Sequence, residues 1–327
     1  MRIGFVGVGG VAQPHLKNLS QMEGVQIAAV CDIVPERVQQ VAEMFGAKGY
    51  ADYKEMIAAE KLDACYVCVI PAAHGEIELD LAKAKVPFYA EKPVHMELDA
   101  CARVVEAIES ANLINSVGYH WRYTHPIQEA KSWVVGHKVS IVEGWWYGGF
   151  VSGPWWRQMK LSGGQMVEQS THVVDSARFI AGEVHTVFAA GARGAMADVE
   201  NYDIHDASIA TLMFDSGAIG QITSGCIAEK HGAGKVGLTV KGRDWSAEVG
   251  TNKSVLRDAQ GEREVADDVS WGDQLGLGDK AFVAAVRSNS MQGVMSPYIS
   301  GAQTLAITLA ANESMESGQP VKVRRFV

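Results

Sequence analysis

The stretch "RIGFVGVGGVAQPHLKNL", residues 2–19, decides how this chain begins to fold. A strand-like apolar run meets a cluster of glycines, and an amphipathic segment follows. Gly7, Gly9 and Ala12 fill the pattern G-x-G-x-x-G/A, with Gly10 and Val11 inside the loop. The first glycine permits a tight turn, the second lets backbone approach a pyrophosphate, and a small third residue lets helix pack on strand. Amides at the start of the helix then face the anion. Further along, "AAVCDIVPER" ends a second strand-like run at Asp32, about twenty residues after Ala12, where an acidic side chain binds the hydroxyls of an adenosine ribose. A carboxylate there repels a 2′-phosphate, so NAD is expected over NADP. Arg37, one turn on, could meet such a phosphate, and Ile33 lies beside Asp32 in the same expected cofactor contact. Asp32 can also be read as the N-cap of the next helix.

Outward from this loop, residues up to about 120 alternate between two textures. Short apolar runs ("VQIAAVCD", "ACYVCVI", "PFYAEK", "INSVGY") are separated by amphipathic segments such as "VPERVQQVAEMFG" and "MELDACARVVEAIESAN". That alternation predicts βαβ units and a parallel sheet, and runs apolar throughout suit strands covered on both faces. After residue 120 come long strand-like stretches: "KVSIVEGWWYGGF", "TVFAAGAR", "DASIATLMFDSGAIGQITSGC", "GKVGLTVKG" and "WSAEVG". "DSG" and "KG" mark expected hairpins. Helices are expected at "THPIQEAKSWVV", "GDKAFVAAVRSN" and "SGAQTLAITLAANESMES". The fold expected is α/β: a doubly wound parallel sheet in a dinucleotide-binding domain over 1–120. An α+β domain with a large, mostly antiparallel open sheet follows over 121–327, its last helix returning to the first domain.

Composition narrows the function. The 327 residues are 47% apolar and 20% charged, an ordinary globular balance, and enough chain for two cores. A net charge of −9 gains nothing from a phosphate backbone, so nucleic acid is not an expected partner. No apolar run approaches a membrane span and the N-terminus lacks the pattern of a signal peptide. The five cysteines are scattered and odd in number, which fits a reducing compartment, and the expected address is the cytoplasm. Cys65 and Cys68 form C-x-x-C inside an apolar run, where residues three apart point to opposite faces; packing is the expected role.

Two further stretches carry chemistry. "YAEKPVHM" places Glu91, Lys92 and Pro93 after a strand, at the end where open α/β sheets bind ligands. "GGQMVEQSTHVVD", residues 163–175, spaces Glu168, His172 and Asp175 by four and three, which on a helix is one face. A solvated stripe, half a metal site and a carboxylate orienting an imidazole all fit that spacing. No H-E-x-x-H string supplies a metal reading, and no metal is expected. Asp175 is expected to cap or pair, with Arg178 as partner. Six of the eight tryptophans lie between 121 and 156, and Trp145 and Trp146 fall on one strand, so only one of them can face a ligand.

The combination resembles the Gfo/Idh/MocA family of sugar and polyol oxidoreductases over nearly the whole chain. The matching residues are "GVGGVA" with Asp32, Pro71 and His74 in "IPAAHGEIELDLAKAKVPFYAEKPV", "VGYHWRYTHPIQ", and "SGGQMVEQSTHVVDSARFIAGEV". The resemblance implies an NAD-dependent dehydrogenase. Pro71, His74 and Glu91 would join the cofactor contacts, Lys92 would contact the reacting hydroxyl and the nicotinamide ribose, and His172 would accept or donate the proton. Glu168 stands where most relatives have aspartate and would orient the imidazole or touch substrate. Gln165 alters the family's glycine-rich turn. Tyr119, His120, Arg122, Trp156 and Arg157 are expected to line the substrate pocket, and the open sheet implies a homodimer or homotetramer. Two rivals stand beside it: an enzyme with tightly bound NAD that uses the same fold and residues to oxidise transiently and cleave or eliminate a glycoside, and a non-enzymatic sensor of NAD or sugar, against which the pairing of Lys92 with His172 speaks.

Overall fold

The computed structural model describes residues 1–149, 151, 153–228, 232 and 234–326. Phe150, the last residue of the strand-like stretch "KVSIVEGWWYGGF", lies outside them. The chain divides into two compact units. The first holds Met1–His120 and Val269–Ala302, the second Trp121–Asp268 and Gln303–Val327.

In the first unit the elements run β1 (Arg2–Val6), α1 (Ala12–Ser20), β2 (Gln26–Cys31), α2 (Pro35–Phe45), β3 (Lys48–Tyr50), α3 (Tyr53–Ala59), β4 (Ala64–Val67), α4 (Glu76–Lys83), β5 (Phe88–Ala90), α5 (Leu98–Ala111) and β6 (Asn115–Val117). The six strands form one parallel sheet in the order β3-β2-β1-β4-β5-β6. Every residue of β4 and of β5 is buried, so both faces of these strands are covered. Cys65 and Cys68 are free and buried in this layer, as packing requires. β3 is the strand that apolar periodicity misses: "KGY" has one large residue to bury and is placed by pairing with β2.

The second unit contains α6 (His125–Val134), β7 (Ile141–Tyr147), α7 (Met159–Ser162), α8 (Gly164–Glu168), α9 (Thr171–Ala181), β8 (Val184–Ala192), β9 (Ala207–Phe214), β10 (Ile219–Gly225), β11 (Lys235–Gly242), β12 (Trp245–Val249), β13 (Lys253–Asp258) and β14 (Gly261–Ala266). Then come α10 (Trp271–Ser288), α11 (Tyr298–Ser317) and β15 (Val321–Lys322). The nine-stranded sheet has the order β14-β13-β12-β11-β7-β10-β9-β8-β15, antiparallel except where β7 meets β10. Both expected hairpins form, β9 to β10 through the turn at Gly217 (φ 83°) and β11 to β12 through Asp244 (φ 62°). β13 and β14 carry few apolar residues. Arg257 binds Glu262 and Glu248 across these strands, and charge stands where a periodicity would otherwise show.

Residues paired across strands share a face. Val142, Ala210, Leu212, Ile222 and Val240 are buried on one face, where α9 lies against β7 and β11 and α8 against β10. The other face presents Phe188, Ile209 and Ile219, each at least 40% exposed.

The expected block 121–327 is therefore not one unit. Residues 269–302, which include α10, belong with the first 120. Phe282 and Val283 join the core of the parallel sheet beside Phe5, Leu16 and Tyr66. α10 also starts before "GDKAFVAAVRSN", at Trp271, with the Ser270 side chain accepting from Asp273 N. Gly276 obscures this start by its low helix propensity; a Cβ there would lie 3.0 Å from Asn18 Nδ2 of α1.

Candidate functional site

The glycine loop leaves β1 and turns at Gly7 (φ 84°), where a Cβ would fall 2.4 Å from the Cys68 carbonyl oxygen. Only glycine fits both the angle and the space. Gly10 faces open space and Gly9 nearly so, with only the Arg37 guanidinium within 4 Å, so the backbone is bare where a pyrophosphate would rest. The first turn of α1 has no acidic residue to neutralise its amides. Asp32 closes the loop from below: Oδ2 accepts from Val8 N at 2.9 Å and Oδ1 from Val34 N at 2.9 Å. It is not the cap of α2, whose N-cap is Val34. Each carboxylate oxygen keeps a further lone pair for a ribose hydroxyl. Ile33 is 93% exposed beside it, and Arg37 Nη1 stands 3.9 Å from Asp32 Oδ1. These residues fit a dinucleotide.

The turn after β5 is built from inside. Glu91 lies among the expected cofactor contacts, yet its side chain is buried: Oε1 is 3.1 Å from His15 Nε2, and Oε2 accepts from Lys92 N at 3.1 Å. His15 Nδ1 meets Asp279 Oδ1 at 2.6 Å. Burial alone favours a neutral His15 ring, but Asp279 and then Glu91 outweigh it and hold its pKa up at about 10. His74, also expected at the cofactor, is buried with Nδ1 2.5 Å from Glu78 Oε1; the second Glu78 oxygen accepts from Gly75 N. Pro71 is buried at the start of a single 3₁₀ turn. Tyr119 and His120 are buried, and burial pushes the His120 pKa down to about 4, so this ring is neutral.

In the second unit, residues 163–175 are not one helix. α8 ends at Glu168 and α9 begins at Thr171. Ser170 N bonds Gln165 O and its hydroxyl meets Ser224 Oγ at 2.5 Å, which draws the chain aside between the two segments. The one-face expectation for Glu168 and His172 is thus corrected; only His172 and Asp175 share a helix. The His172 ring stacks near-parallel on Trp121 (centroids 5.2 Å) and Trp146 (5.8 Å), and these indoles stack on each other at 5.7 Å. Trp145 points to the opposite sheet face, where Lys235 Nζ lies over its ring. Glu168 Oε2 accepts from Trp156 Nε1 at 2.7 Å.

Several pocket expectations change. Trp156 is fully buried and serves Glu168 rather than offering a face to ligand. Arg122 is buried in a two-pronged pair with Asp175, whose Oδ1 also accepts from Thr304 Oγ1. Arg178, the expected partner of Asp175, binds Glu183 instead. Arg157 donates to the Glu200 carbonyl. Trp121 and Trp146, counted among the six clustered tryptophans but not placed in the expected pocket, are the rings that stack on His172. Strand alternation at Trp145 and Trp146 held the signal, without saying which ring faced inward. Lys92 belongs to the first unit, Glu168 and His172 to the second. Among the described residues no group of three or more His, Cys, Asp or Glu is placed to hold a metal ion.

Comparison with known proteins follows this division. Residues 1–119 match the family model described as "Oxidoreductase family, NAD-binding Rossmann fold", and residues 136–248 match the "GFO/IDH/MocA C-terminal domain". The chain belongs to the Gfo/Idh/MocA oxidoreductase family.

This Gfo/Idh/MocA member is 28% identical to "Myo-inositol 2-dehydrogenase" of Thermotoga maritima, over all of both chains. It is 26% identical to "scyllo-inositol 2-dehydrogenase (NAD(+))" of Bacillus subtilis, over 68% of this chain and 66% of the relative. Among solved structures it shares its fold with a levoglucosan dehydrogenase in complex with NADH (TM-score 0.90, 18% identity, all of both chains). It also shares it with the WlbA dehydrogenase from Bordetella pertussis in complex with NADH and UDP-GlcNAcA (TM-score 0.88, 19% identity, 100% of this chain and 98% of that one). The cofactor of the family fold is NAD, as the loop and Asp32 imply. No helix among the described residues is long and apolar enough to cross a membrane.

Proposed function

We propose that this oxidoreductase is an NAD-preferring dehydrogenase of a cyclic polyol, sugar or sugar derivative. One observation carries the reading: an imidazole, His172, stacked against the indoles of Trp121 and Trp146. Indole faces suit the C–H faces of a sugar ring, and histidine starts near the pKa best suited to proton transfer at neutral pH. The whole-length similarity to a myo-inositol 2-dehydrogenase supports the substrate class.

Bound NAD would supply the hydride acceptor. Lys92 would hold the reacting hydroxyl and, as an ammonium, stabilise the developing alkoxide. His172 would take the hydroxyl proton. Glu168, fixed by Trp156, would bind substrate or steady the imidazole. Asp32 would select NAD by repelling a 2′-phosphate. The outward face with Phe188, Ile209 and Ile219 would be covered by a second copy, giving a homodimer or homotetramer. Five free, buried cysteines support a cytoplasmic address.

The test is absorbance at the NADH band, with NAD or NADP and a panel of inositols, aldoses, sugar acids and anhydrosugars. A rise with NAD and one class is expected. His172→Asn should then lower kcat by about 10²–10⁴-fold with NADH binding intact, the range of a lost general base. If NAD binds and no compound reacts, the reading fails for this panel.

A further inference from the structure

We propose that Asp279, His15 and Glu91 form a buried chain that holds Lys92 in position and limits the negative charge it meets. The inference rests on reading Lys92 as the lysine that meets substrate. His15 is fully buried on α1 and places one ring nitrogen on each of two carboxylates, 2.6 Å from Asp279 and 3.1 Å from Glu91. An imidazole can donate to two carboxylates only as the imidazolium. The far oxygen of Glu91 accepts the backbone N–H of Lys92. Gly118 leaves room for the same carboxylate: a Cβ there would lie 2.2 Å from Oε1, so the absence of a side chain at 118 admits Glu91 to this place.

The charges can be followed around the cluster. His15 faces Asp279 and Glu91; Glu91 faces His15, Lys92 and His120. His120 is neutral, and burial keeps the Cys68 thiol and the Tyr66 phenol uncharged. His15 therefore takes up most of the Glu91 charge. Without it, Glu91 would act on Lys92 alone and draw the lysine head group onto the carboxylate, away from a substrate or reagent. Stability alone does not call for such a chain, since well-packed apolar residues of similar volume often serve as well as a buried ion cluster. Its members span the chain, from the cofactor helix to α10, and end on the lysine.

The experiment is amine labelling of the intact protein with an N-hydroxysuccinimide acetate, read by peptide mass as the rate at Lys92 relative to exposed Lys17 on α1. His15→Gln should lower that ratio by about tenfold, the scale of one charge-assisted contact that holds the lysine on the unpaired carboxylate. Glu91→Gln should raise it. A merely structural cluster would loosen the turn in both variants and move the ratio the same way; that result, or an unchanged ratio in His15→Gln, overturns the proposal. Should His15→Gln not fold, His15→Gln/Asp279→Asn removes the stranded Asp279 charge as well, still leaves Glu91 without its cation, and should show the same fall. The labelling needs no substrate. A wild-type protein that oxidises no polyol but labels as expected would sink the dehydrogenase reading and leave this one standing.

Discussion

Arg122 and Asp175 form a buried two-pronged ion pair, Nε to Oδ2 at 2.7 Å and Nη2 to Oδ1 at 2.5 Å, with side chains 4% and 1% exposed. The pair removes from the pocket an arginine that the sequence offers to substrate. It also assigns Asp175 to architecture, although it lies one turn from His172. Breaking one side of a buried pair strands the other charge, at a cost of about 3–5 kcal/mol. Asp175→Ala should lower stability by that amount in urea unfolding, while the folded fraction keeps its KM. A lost activity at full stability would make Asp175 catalytic.

The two adjacent tryptophans of β7 should behave oppositely. Trp146→Leu removes a ring stacked on His172 and should lower kcat/KM by roughly fivefold, the scale of an aromatic pair worth about 1 kcal/mol. Trp145→Leu changes the outward face and should leave turnover alone while weakening self-association. Steady-state kinetics and analytical ultracentrifugation of both variants check this, and equal kinetic losses would refute the assignment of faces.

Asp32→Asn keeps the shape that accepts from Val8 N and removes the charge. Like charges placed together cost several kcal/mol, so this substitution should bring NADP binding up by tenfold or more, to about the level of NAD. Arg37 stands ready to meet the added phosphate. Competitive titrations with NADH and NADPH measure the ratio; an unmoved ratio would take cofactor choice away from Asp32.

Stability should fall as the solution becomes alkaline. His15 has a folded pKa raised from 6.5 to about 10, so its contribution is complete below 6.5 and is lost as pH climbs through 10. His120 has the opposite sign: its pKa is lowered from 6.5 to about 4, and it removes stability as pH falls between those values. Urea midpoints across pH should drop at the alkaline end in the wild type and less in His15→Gln. Parallel curves would show that His15 is not the group titrating.

Much of this was open to reading along the chain. The glycine loop, Asp32, the alternating first domain and the two hairpins rest on local spacing, because turns and strand or helix periods are set by neighbours in sequence. The family and its NAD-binding fold follow from the same motifs. What spacing could not supply was direction and partnership. Nothing near residue 15 announces Asp279, and nothing near residue 175 announces Arg122 or Thr304. The helix expected through Glu168 and His172 is broken by Ser170, whose partner Ser224 belongs to a strand far along the chain. α10 leaves the second half to complete the core of the first, since Phe282 and Asp279 find there the apolar wall and the buried cation that stabilise them. Burial and ion pairing act between segments distant in sequence, and only the folded chain brings them together.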